Sequence, residues 1–324
     1  MKAVQVKGFG GVENLELREV PTPTPDDTEV LIKVKAAGII YGDVMTRNGV
    51  DPRLPDLPYT AGMEVAGVIA EVGARVTGFE VGMRVMSYVP TGGYAEYATA
   101  RAAQVIRLPD DVSDLEGLVY LINMPIAYLV YHVFGAVRPD AIILMHAASG
   151  GVGTLVTQIA KRRGNKNTVI ALASSDQKLE YCRQNGADHL INYKTTNYVD
   201  EVLRITGGQG VDVALNSVSG PTLETDPFAI RTAGRWAIYG YSAGKGVIDP
   251  FKHFVRSLTI NVSAAHGYAG RPEFREAQAF MRDWLKTETL IAPTKTFRLE
   301  EARAAHQWIE GQHAVGKTAF VFDD

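Results

Sequence analysis

A glycine-rich turn between an apolar run and an amphipathic segment carries the clearest chemical signal in the chain. The residues Ala148-x-Gly150-x-x-Gly153 follow an apolar run at 141–145 and open a segment with apolar residues at helical spacing. Strand, glycine turn and helix in this order bind the phosphates of a dinucleotide. Gly150 leaves the backbone accessible to a pyrophosphate, and Gly153 allows close packing of the helix on the strand. The predicted phosphate-binding residues are Ala148, Ser149, Gly150, Gly151, Val152 and Gly153.

The residues after the second strand of this unit, 168–173, indicate which dinucleotide binds. An NAD site normally has Asp or Glu at the end of this strand to hold the ribose hydroxyls. Here Ser174 and Ser175 come first and Lys178 follows, so hydroxyls and a cation are available to a 2′-phosphate. This pattern favours NADP(H). Asp176 argues against it, because a shift of one residue would bring its carboxylate near the ribose, and Ser175 could equally cap the next helix.

Composition restricts the function classes. A length of 324 residues favours two domains, and 46% apolar residues with a formal net charge of −3 are typical of a soluble globular protein with no nucleic-acid partner. We find no apolar window of membrane-spanning length and no signal-peptide pattern, so we expect a cytoplasmic protein with no membrane partner. The single cysteine, Cys182, excludes an internal disulfide and a thiolate zinc cluster, and the seven histidines show no metal-binding spacing.

The pattern of elements changes near residue 121. Before it, short strand-like runs separated by Gly, Pro or Asp predict a β-rich domain. After it, apolar runs alternate with helical stretches, which predicts an α/β domain of the Rossmann class with a doubly wound, parallel, six-stranded sheet. Asn216 and Gly240-Tyr241 follow two of these strands, at the sheet edge where ligands bind, and are predicted to contact the nicotinamide end of the cofactor. His146, at another strand end, is expected to belong to the core. The six predicted strands are 141–146, 168–173, 189–193, 211–216, 235–239 and 258–262.

Five segments, in this order along the chain, resemble the zinc-independent quinone oxidoreductase branch of the medium-chain dehydrogenase/reductase superfamily. The resemblance implies a GroES-like catalytic domain over 1–120, completed by 265–324, with a Rossmann domain over 121–264 between the two parts. It also implies that Ser175, Lys178 and Tyr193 contact the 2′-phosphate. The segments are Glu29-Val30-Leu31-Ile32-Lys33-Val34 with Ala37-Gly38-Ile39, Gly62-Met63-Glu64-Val65-Ala66-Gly67, Gly92-Gly93-Tyr94-Ala95-Glu96-Tyr97, Arg138-Pro139-Asp140 and Gly316-Lys317-Thr318.

The resemblance further implies that no zinc is bound. Zinc-dependent relatives have cysteine at the position of Ile40 and histidine at that of Met63, and they carry a four-cysteine loop that this chain lacks. Glu64 remains, but one carboxylate without a soft or imidazole partner is a poor zinc site. We interpret Glu64 as structural.

The substrate pocket is expected to be unusually apolar. Related quinone oxidoreductases usually have asparagine at the position of Ile40, often tyrosine at Val50, and threonine near the nicotinamide at Ile126. Aliphatic side chains replace all three polar groups. Tyr41 is then the nearest candidate for a catalytic proton donor, although its counterpart in the family is commonly a packing aromatic. Met45 and Tyr59 are expected to form pocket walls.

These residues predict an NADPH-dependent reductase that transfers hydride to a quinone or an α,β-unsaturated carbonyl, with the proton supplied by solvent or by Tyr41. An enoyl-thioester reductase for carrier-bound or coenzyme A chains is one alternative. Another is an NADPH-binding protein with vestigial turnover, since Ile40, Val50 and Ile126 remove polar groups from the site. The apolar strand at 258–262 would lie at a sheet edge and predicts a homodimer.

Overall fold

The computed structural model describes residues 1–51, 53–162, 164–287 and 294–323. The chain forms two compact units. The first contains Met1–Ile122 and Ala292–Asp324, and the second contains Asn123–Ile291.

The first unit is built mainly from short antiparallel strands. The longest strand, β3 (Glu29–Ile39), consists mostly of buried residues and pairs antiparallel with β5 (Glu64–Val72), with β7 (Tyr97–Arg101) and with a strand from the C-terminal segment. The 3₁₀ turns of its N-terminal part are Val12–Asn14 and Ala102–Gln104. Its elements up to residue 118 are β1 (Lys2–Val6), β2 (Leu15–Glu19), β3 (Glu29–Ile39), α1 (Tyr41–Arg47), β4 (Tyr59–Thr60), β5 (Glu64–Val72), β6 (Arg84–Tyr88), β7 (Tyr97–Arg101), β8 (Val105–Arg107) and α2 (Asp114–Leu118).

The second unit alternates strands and helices. Two π-helical segments, Val119–Asn123 and Leu129–Phe134, flank its first helix. Short 3₁₀ turns occupy Phe254–Arg256 and Ala265–Tyr268. The remaining elements are α3 (Met124–Tyr128), β9 (Ile142–Met145), α4 (Gly151–Lys161), β10 (Thr168–Ala173), α5 (Asp176–Gln184), β11 (His189–Asn192), α6 (Tyr198–Ile205), β12 (Val211–Asn216), α7 (Thr222–Ala229), β13 (Ile230–Ile238), α8 (Pro250–His253), β14 (Thr259–Val262) and α9 (Pro272–Thr287).

The C-terminal segment returns to the first unit as β15 (Thr294–Phe297), the 3₁₀ turn Leu299–Glu301, α10 (Ala302–Glu310) and β16 (Lys317–Val321). β16 pairs antiparallel with β3, and β15 pairs parallel with β16. In the described chain this gives the strand order β15-β16-β3-β5-β6-β8, with β7 also on β3, beside a smaller sheet β2-β1-β4. Val30, Ile32, Val65 and Phe320 lie in the apolar core that these strands enclose.

The second unit confirms the predicted Rossmann sheet. Its six described strands are parallel and follow the order β11-β10-β9-β12-β13-β14, the doubly wound order of dinucleotide-binding domains. Leu144, Ile170 and Trp236 lie in its core. The inner strands of this sheet, such as β9 and β10, are largely buried and form nearly continuous apolar runs, which is why the sequence reveals them.

Residues 265–287 lie in the second unit, whereas the sequence analysis assigned them to the first. The physical reason is α9, which packs on α3. The ring centroids of Tyr128 and Phe280 are 5.1 Å apart, and the Tyr128 hydroxyl donates to Glu276 at 3.4 Å. The aromatic side chains of α9 therefore keep this segment with the nucleotide-binding sheet.

The 21-residue helical segment Asp114–Phe134 is long and apolar enough to cross a membrane, which corrects our expectation that no window reaches that length. The sequence analysis missed it because the segment combines α2, α3 and two π-helical stretches. In its most apolar window 72% of the residues are buried inside the fold, as in the core helix of a soluble protein.

Candidate functional site

The glycine loop of the second unit has an open side and a tightly packed side. A Cβ added to Gly153 would lie 2.5 Å from the carbonyl oxygen of Ala147, so only glycine fits there. A Cβ on Gly150 would come within 4 Å of that same oxygen alone, at 3.3 Å. The backbone of Gly150 is therefore accessible to a ligand, while Gly153 brings α4 against the loop. The first N–H groups of α4 have no partners within the helix and give this end a partial positive charge.

The carboxyl end of β10 gathers hydroxyl groups and a lysine. Lys178 Nζ lies 3.3 Å from Ser174 Oγ, and Ser175 caps α5 by accepting the Lys178 backbone N–H at 3.4 Å. Burial lowers the pKa of Lys178 from its usual value. Asp176, the residue that argued for NAD, accepts a hydrogen bond from Asn192 Nδ2 at 3.2 Å. Its carboxylate is thus engaged at the end of β11.

Tyr193 joins this group from the neighbouring strand. Its backbone N–H donates to the Ala173 carbonyl oxygen at 3.2 Å, which brings it beside the end of β10. The side chain is 38% exposed, and Lys194 Nζ lies 5.5 Å from its ring centroid. The residues predicted for the 2′-phosphate, Ser174, Ser175, Lys178 and Tyr193, therefore lie at one corner of the second unit.

A buried aspartate on α7, Asp226, links the loops that follow β9 and β12. Its Oδ1 lies 2.8 Å from His146 Nε2 and accepts from the Tyr198 hydroxyl at 2.7 Å. Its Oδ2 accepts from Asn216 Nδ2 at 2.6 Å and from Trp236 Nε1 at 3.0 Å. No part of Asp226 is exposed. Four hydrogen-bonding groups from four different segments thus satisfy one buried carboxylate.

Asn216 uses its whole hydrogen-bonding capacity within the protein. Its Oδ1 accepts the backbone N–H groups of Val218 and Ser219, at 2.7 and 2.9 Å, while Nδ2 donates to Thr222 Oγ1 and to Asp226. This amide has no donor or acceptor left for a nicotinamide. Asn216 therefore orders the loop after β12, and its predicted contact with the nicotinamide stays a prediction that would require one of these hydrogen bonds to break.

The loops after β12 and β13 approach each other closely. Ser219 Oγ donates to the Gly240 carbonyl oxygen at 2.6 Å, and a Cβ on Gly240 would lie 2.6 Å from the Ser217 carbonyl oxygen. Tyr241 follows with 39% of its surface exposed. Ser219 and, in the glycine loop, Ala147 adopt positive φ angles of 57° and 48°, which few residues other than glycine adopt. Strain of this kind persists where the surrounding structure holds it, as the Asp226 network does here.

The donor set at this edge fits NADPH. An accessible glycine backbone and a helix N-terminus suit the pyrophosphate, and Lys178 with two serine hydroxyls suits the 2′-phosphate. The cofactor contacts of these residues stay predictions, and the anchoring role of Asp226 was not predicted from the sequence. No pattern along the chain indicates that role, because its partners converge only in three dimensions.

The predicted substrate residues divide between the two units. In the first, Ile40 precedes α1, Tyr41 begins it with 37% exposure, Met45 lies within it and Val50 follows it with 54% exposure. Tyr59, in β4, is buried, and burial raises the pKa of its hydroxyl, so this group is a neutral donor. Ile126 lies half-buried in α3 of the second unit.

Glu64 is paired with Lys317. The Lys317 ammonium donates to Glu64 Oε2, and both side chains are buried. This pair joins β5 to β16 and agrees with a structural role for the carboxylate. Among the described residues, no group of three or more His, Cys, Asp or Glu side chains could hold a metal ion.

Comparison with known proteins identifies the family. The alcohol dehydrogenase GroES-like domain model matches residues 26–110, and the zinc-binding dehydrogenase model matches 151–283. The quinone oxidoreductase of Sus scrofa is 34% identical over 325 residues, covering 98% of this chain and 96% of the relative. The chain belongs to the quinone oxidoreductase branch of the medium-chain dehydrogenase/reductase superfamily. Among solved structures, the quinone oxidoreductase of Escherichia coli in complex with NADPH is 26% identical to this chain. The match covers 99% of this chain and 100% of the E. coli chain, with a TM-score of 0.91.

A second relative extends the range of reactions found among similar proteins. The 2-haloacrylate reductase of a Burkholderia species is 34% identical over 327 residues and covers 96% of each chain. This quinone oxidoreductase-family chain is therefore similar over its whole length both to a quinone reductase and to a reductase named for an unsaturated acid.

Proposed function

We propose that this protein is an NADPH-dependent reductase that transfers hydride to a quinone or an α,β-unsaturated carbonyl without zinc. The observation that carries the proposal is the corner at β10, where Lys178 Nζ lies 3.3 Å from Ser174 Oγ while Asp176 is engaged by Asn192. Membership of the quinone oxidoreductase branch supports the reaction, and the E. coli relative in complex with NADPH supports the cofactor.

NADPH supplies the hydride in this chemistry, so the protein has to bind the nucleotide and the substrate, orient them and exclude water. The backbone at Gly150 and the N-terminus of α4 hold the pyrophosphate, and Gly153 brings this helix close enough to do so. Ser174, Ser175, Lys178 and Tyr193 hold the 2′-phosphate. The Asp226 network keeps the loops after β9 and β12 in a single conformation, which aligns a bound nicotinamide with its substrate.

The proposed substrate class is a small, apolar molecule with an electrophilic carbon conjugated to a carbonyl group. Ile40, Val50 and Ile126 offer aliphatic surface rather than charge, which suits such a molecule. The 2-haloacrylate reductase of Burkholderia, whose name describes reduction of a conjugated double bond, supports the extension beyond quinones.

The cofactor half of the proposal is tested by Lys178→Ala. Loss of one charge-assisted contact is expected to weaken NADPH binding by about 10- to 100-fold, with little change for NADH, because only NADPH carries the 2′-phosphate. The measurement is a fluorescence titration with each nucleotide. Lys166→Ala is the matched control, since Lys166 is exposed at the amino end of the same strand, and it should leave both affinities unchanged. Equal losses for NADPH and NADH in Lys178→Ala would contradict the assignment.

The reaction itself is tested by stopped-flow oxidation of NADPH against a panel of quinones, enones and crotonyl thioesters. We expect turnover with quinones or enones. Activity on crotonyl thioesters alone would replace the proposal with an enoyl-thioester reductase. Tight NADPH binding without turnover on any member of the panel would favour a nucleotide-binding protein instead.

We also propose that two copies associate through β14. This strand is the last in the sheet order, and its side chains are largely exposed, with Val262 at 70% and Ile260 at 37%. An uncovered apolar edge strand favours pairing with another chain. Light scattering is expected to give a dimer for the wild type and a monomer for Ile260→Lys, while Val81→Lys, at an exposed position of the first unit, stays dimeric. A monomeric wild type would remove the proposal.

We further propose a cytoplasmic location for the protein. Recovery of the protein with membranes on cell fractionation would contradict that location.

A further inference from the structure

A small cavity in the first unit lies beside the positions where zinc-dependent relatives place their metal ligands. Met63, one of those positions, is part of its wall. Ile40, at the other position, lies close to Met63. Both side chains are near Gly42, where an added Cβ would lie 3.1 Å from Ile40 Cδ1 and 3.8 Å from Met63 Sδ. The cavity has about the space of a single water molecule. Its lining residues are Asp43, Thr46, Tyr59, Ala61, Gly62, Met63, Pro90 and Thr91.

Asp43 contributes a buried carboxyl group to this wall. It is the third residue of α1, and its Oδ2 accepts the backbone N–H of Ile40 at 2.9 Å, which fixes the start of the helix. The side chain is 3% exposed, and Oδ1 has no hydrogen-bond partner in the described part of the chain. Since buried polar atoms are normally paired, an unpartnered carboxyl oxygen at a cavity wall is a group available for a ligand or a proton.

The surroundings of Asp43 favour its protonated form. Burial raises the pKa of this carboxyl to about 7, and the nearby Glu64 carboxylate acts in the same direction. The Ile40 N–H, the Tyr94 hydroxyl and Lys317 oppose this effect. Burial also keeps the hydroxyls of Tyr94 and Tyr59 un-ionised by raising their pKa values. The titratable and charged groups around Asp43 are Glu64 on β5, Lys317 on β16, Tyr59 on β4, Tyr88 on β6 and Tyr94. Arg47 and Asp51 act in turn on Tyr59.

We propose that Asp43 supplies the proton that completes the reduction, passing it from Oδ1 through a water molecule in this cavity to the substrate. The inference rests on the reductase activity proposed above. It assigns the proton to a group that the sequence analysis did not single out. Tyr41, the donor favoured there, begins the same helix but does not line the cavity.

The proton balance of the step is simple. An enone that has accepted a hydride at its β-carbon carries the displaced π-electron pair on its oxygen as an enolate, and a quinone that has accepted a hydride at one oxygen carries it on the other as a phenolate. Protonation of the enolate oxygen gives an enol, which tautomerises to the ketone with no net uptake of a further proton. The O–H bond of Asp43 breaks, the proton passes along the water, and a new O–H bond forms on the substrate. Asp43 then holds a carboxylate, which takes one proton from solvent before the next turnover. NADPH is the reductant, so one hydride and one proton are consumed for each substrate.

The test compares the wild type with Asp43→Asn. Asparagine retains an oxygen for the Ile40 N–H but cannot donate a carboxylic proton. With saturating NADPH and a quinone or enone, we expect wild-type kcat to fall as pH rises through about 7, because the acid form is lost. Asp43→Asn is expected to lack this limb and to lose about 100-fold in kcat at about pH 6. Asp43→Glu is expected to recover a pH-dependent limb at a shifted position.

Two further measurements separate this role from a structural one. Infrared spectra of the nucleotide-free protein should show a protonated carboxylic acid at about pH 6 that is absent at about pH 8.5 and absent from Asp43→Asn. Burial also raises the pKa of Glu64, so the band has to be assigned to Asp43 by its loss in Asp43→Asn. Where Asp43→Asn folds poorly, a shift of the band in Asp43→Glu makes the same assignment. Asp51→Asn is the matched control, because Asp51 is also buried and accepts a backbone N–H, from Arg53 at 2.8 Å, but does not line the cavity. It should retain the pH limb.

The outcomes distinguish the inference from the function on which it rests. If Asp43→Asn had the wild-type kcat and the same decline of kcat with rising pH, the role of Asp43 would be overturned and the reductase activity would stand. An ionised Asp43 at about pH 6 in the infrared spectrum would also overturn it. Absence of turnover with every quinone and enone would remove both proposals together.

Discussion

Two buried aspartates, one in each unit, show how differently the two units treat the same side chain. Asp226 has no exposed surface and is contacted by four hydrogen-bonding side chains. Asp43 is 3% exposed, its Oδ2 accepts the Ile40 N–H at 2.9 Å, and the nearby Tyr94 hydroxyl also favours its ionised form. A fully satisfied carboxylate holds structure in place, while a poorly satisfied one is available for chemistry. Burial alone therefore does not assign a role to a carboxyl group, and the number of its hydrogen-bond partners has to be considered with it.

The neighbours of the two aspartates differ in the same way. The polar side chains that contact Asp226, those of His146, Tyr198, Asn216 and Trp236, are each hydrogen-bonded to it. Near Asp43, Glu64 Oε1 and Tyr94 Oη are buried polar atoms without hydrogen-bond partners in the described chain. The groups around Asp226 are therefore held in one arrangement, whereas those around Asp43 retain unused hydrogen-bonding capacity.

The largest expected effect is that of Asp226→Asn. The amide replaces an acceptor oxygen with an NH₂ group that faces donors, so two buried hydrogen bonds are lost. We expect the free energy of unfolding to fall by about 3 kcal/mol and the NADPH dissociation constant to rise, since the loops after β9 and β12 lose their common anchor. Chemical denaturation and nucleotide titration measure the two effects. A variant with unchanged stability and unchanged affinity would contradict the role given to the network.

A smaller, pH-dependent effect is expected for stability at Asp43. Burial raises its folded-state pKa to about 7, above its ordinary value of 3.8. The contribution of this group to stability is therefore full below about pH 4 and is lost as pH rises towards 7, because the unfolded chain ionises first. The free energy of unfolding of the wild type, measured relative to Asp43→Asn, should decline over this range and then level off. A difference that does not depend on pH would show that the carboxyl is not held protonated.

The smallest expected effect is that of Ala147→Gly. Ala147 has a φ of 48°, a conformation that glycine adopts without strain, but glycine also loses more conformational freedom on folding. These terms oppose each other, so stability should rise by less than about 1 kcal/mol. Thermal unfolding of the variant measures the change. A clear loss of stability would mean that the Ala147 methyl group makes contacts that outweigh the strain.

Sequence reasoning succeeds where a function depends on neighbouring residues. The glycine loop and the Ser174–Lys178 corner each lie within one strand–helix connection, so residue order alone predicts their arrangement. The parallel sheet was predictable for a related reason, since each buried strand is a continuous apolar run. β13 is the exception: it begins at Ile230 rather than Arg235, because its register against β12 is irregular around Ala233, which has a φ of 57°.

The unpredicted parts depend on convergence of distant segments. Asp226 meets a strand end, two further strands and a helix, and nothing in its local sequence, Thr225-Asp226-Pro227, indicates them. One local signal pointed to Asp43: it is an acidic residue at the third position of a helical segment, as in a capping box. That signal predicts a helix cap but not a cavity. The proposed role of Asp43 as a proton donor depends on the cavity that Met63 and Tyr59 help to line, which the fold alone reveals.

Single-turnover oxidation of bound NADPH tests the assignment as an NADPH-dependent reductase without needing a variant. The wild-type protein is mixed with a quinone or an enone, and NADH is run in parallel. We predict rapid loss of the reduced nicotinamide absorbance with NADPH, formation of one equivalent of reduced substrate, and much slower reaction with NADH at the same concentration. Stable NADPH absorbance in the presence of every quinone and enone, from a protein that binds the nucleotide tightly, would contradict the assignment as a reductase.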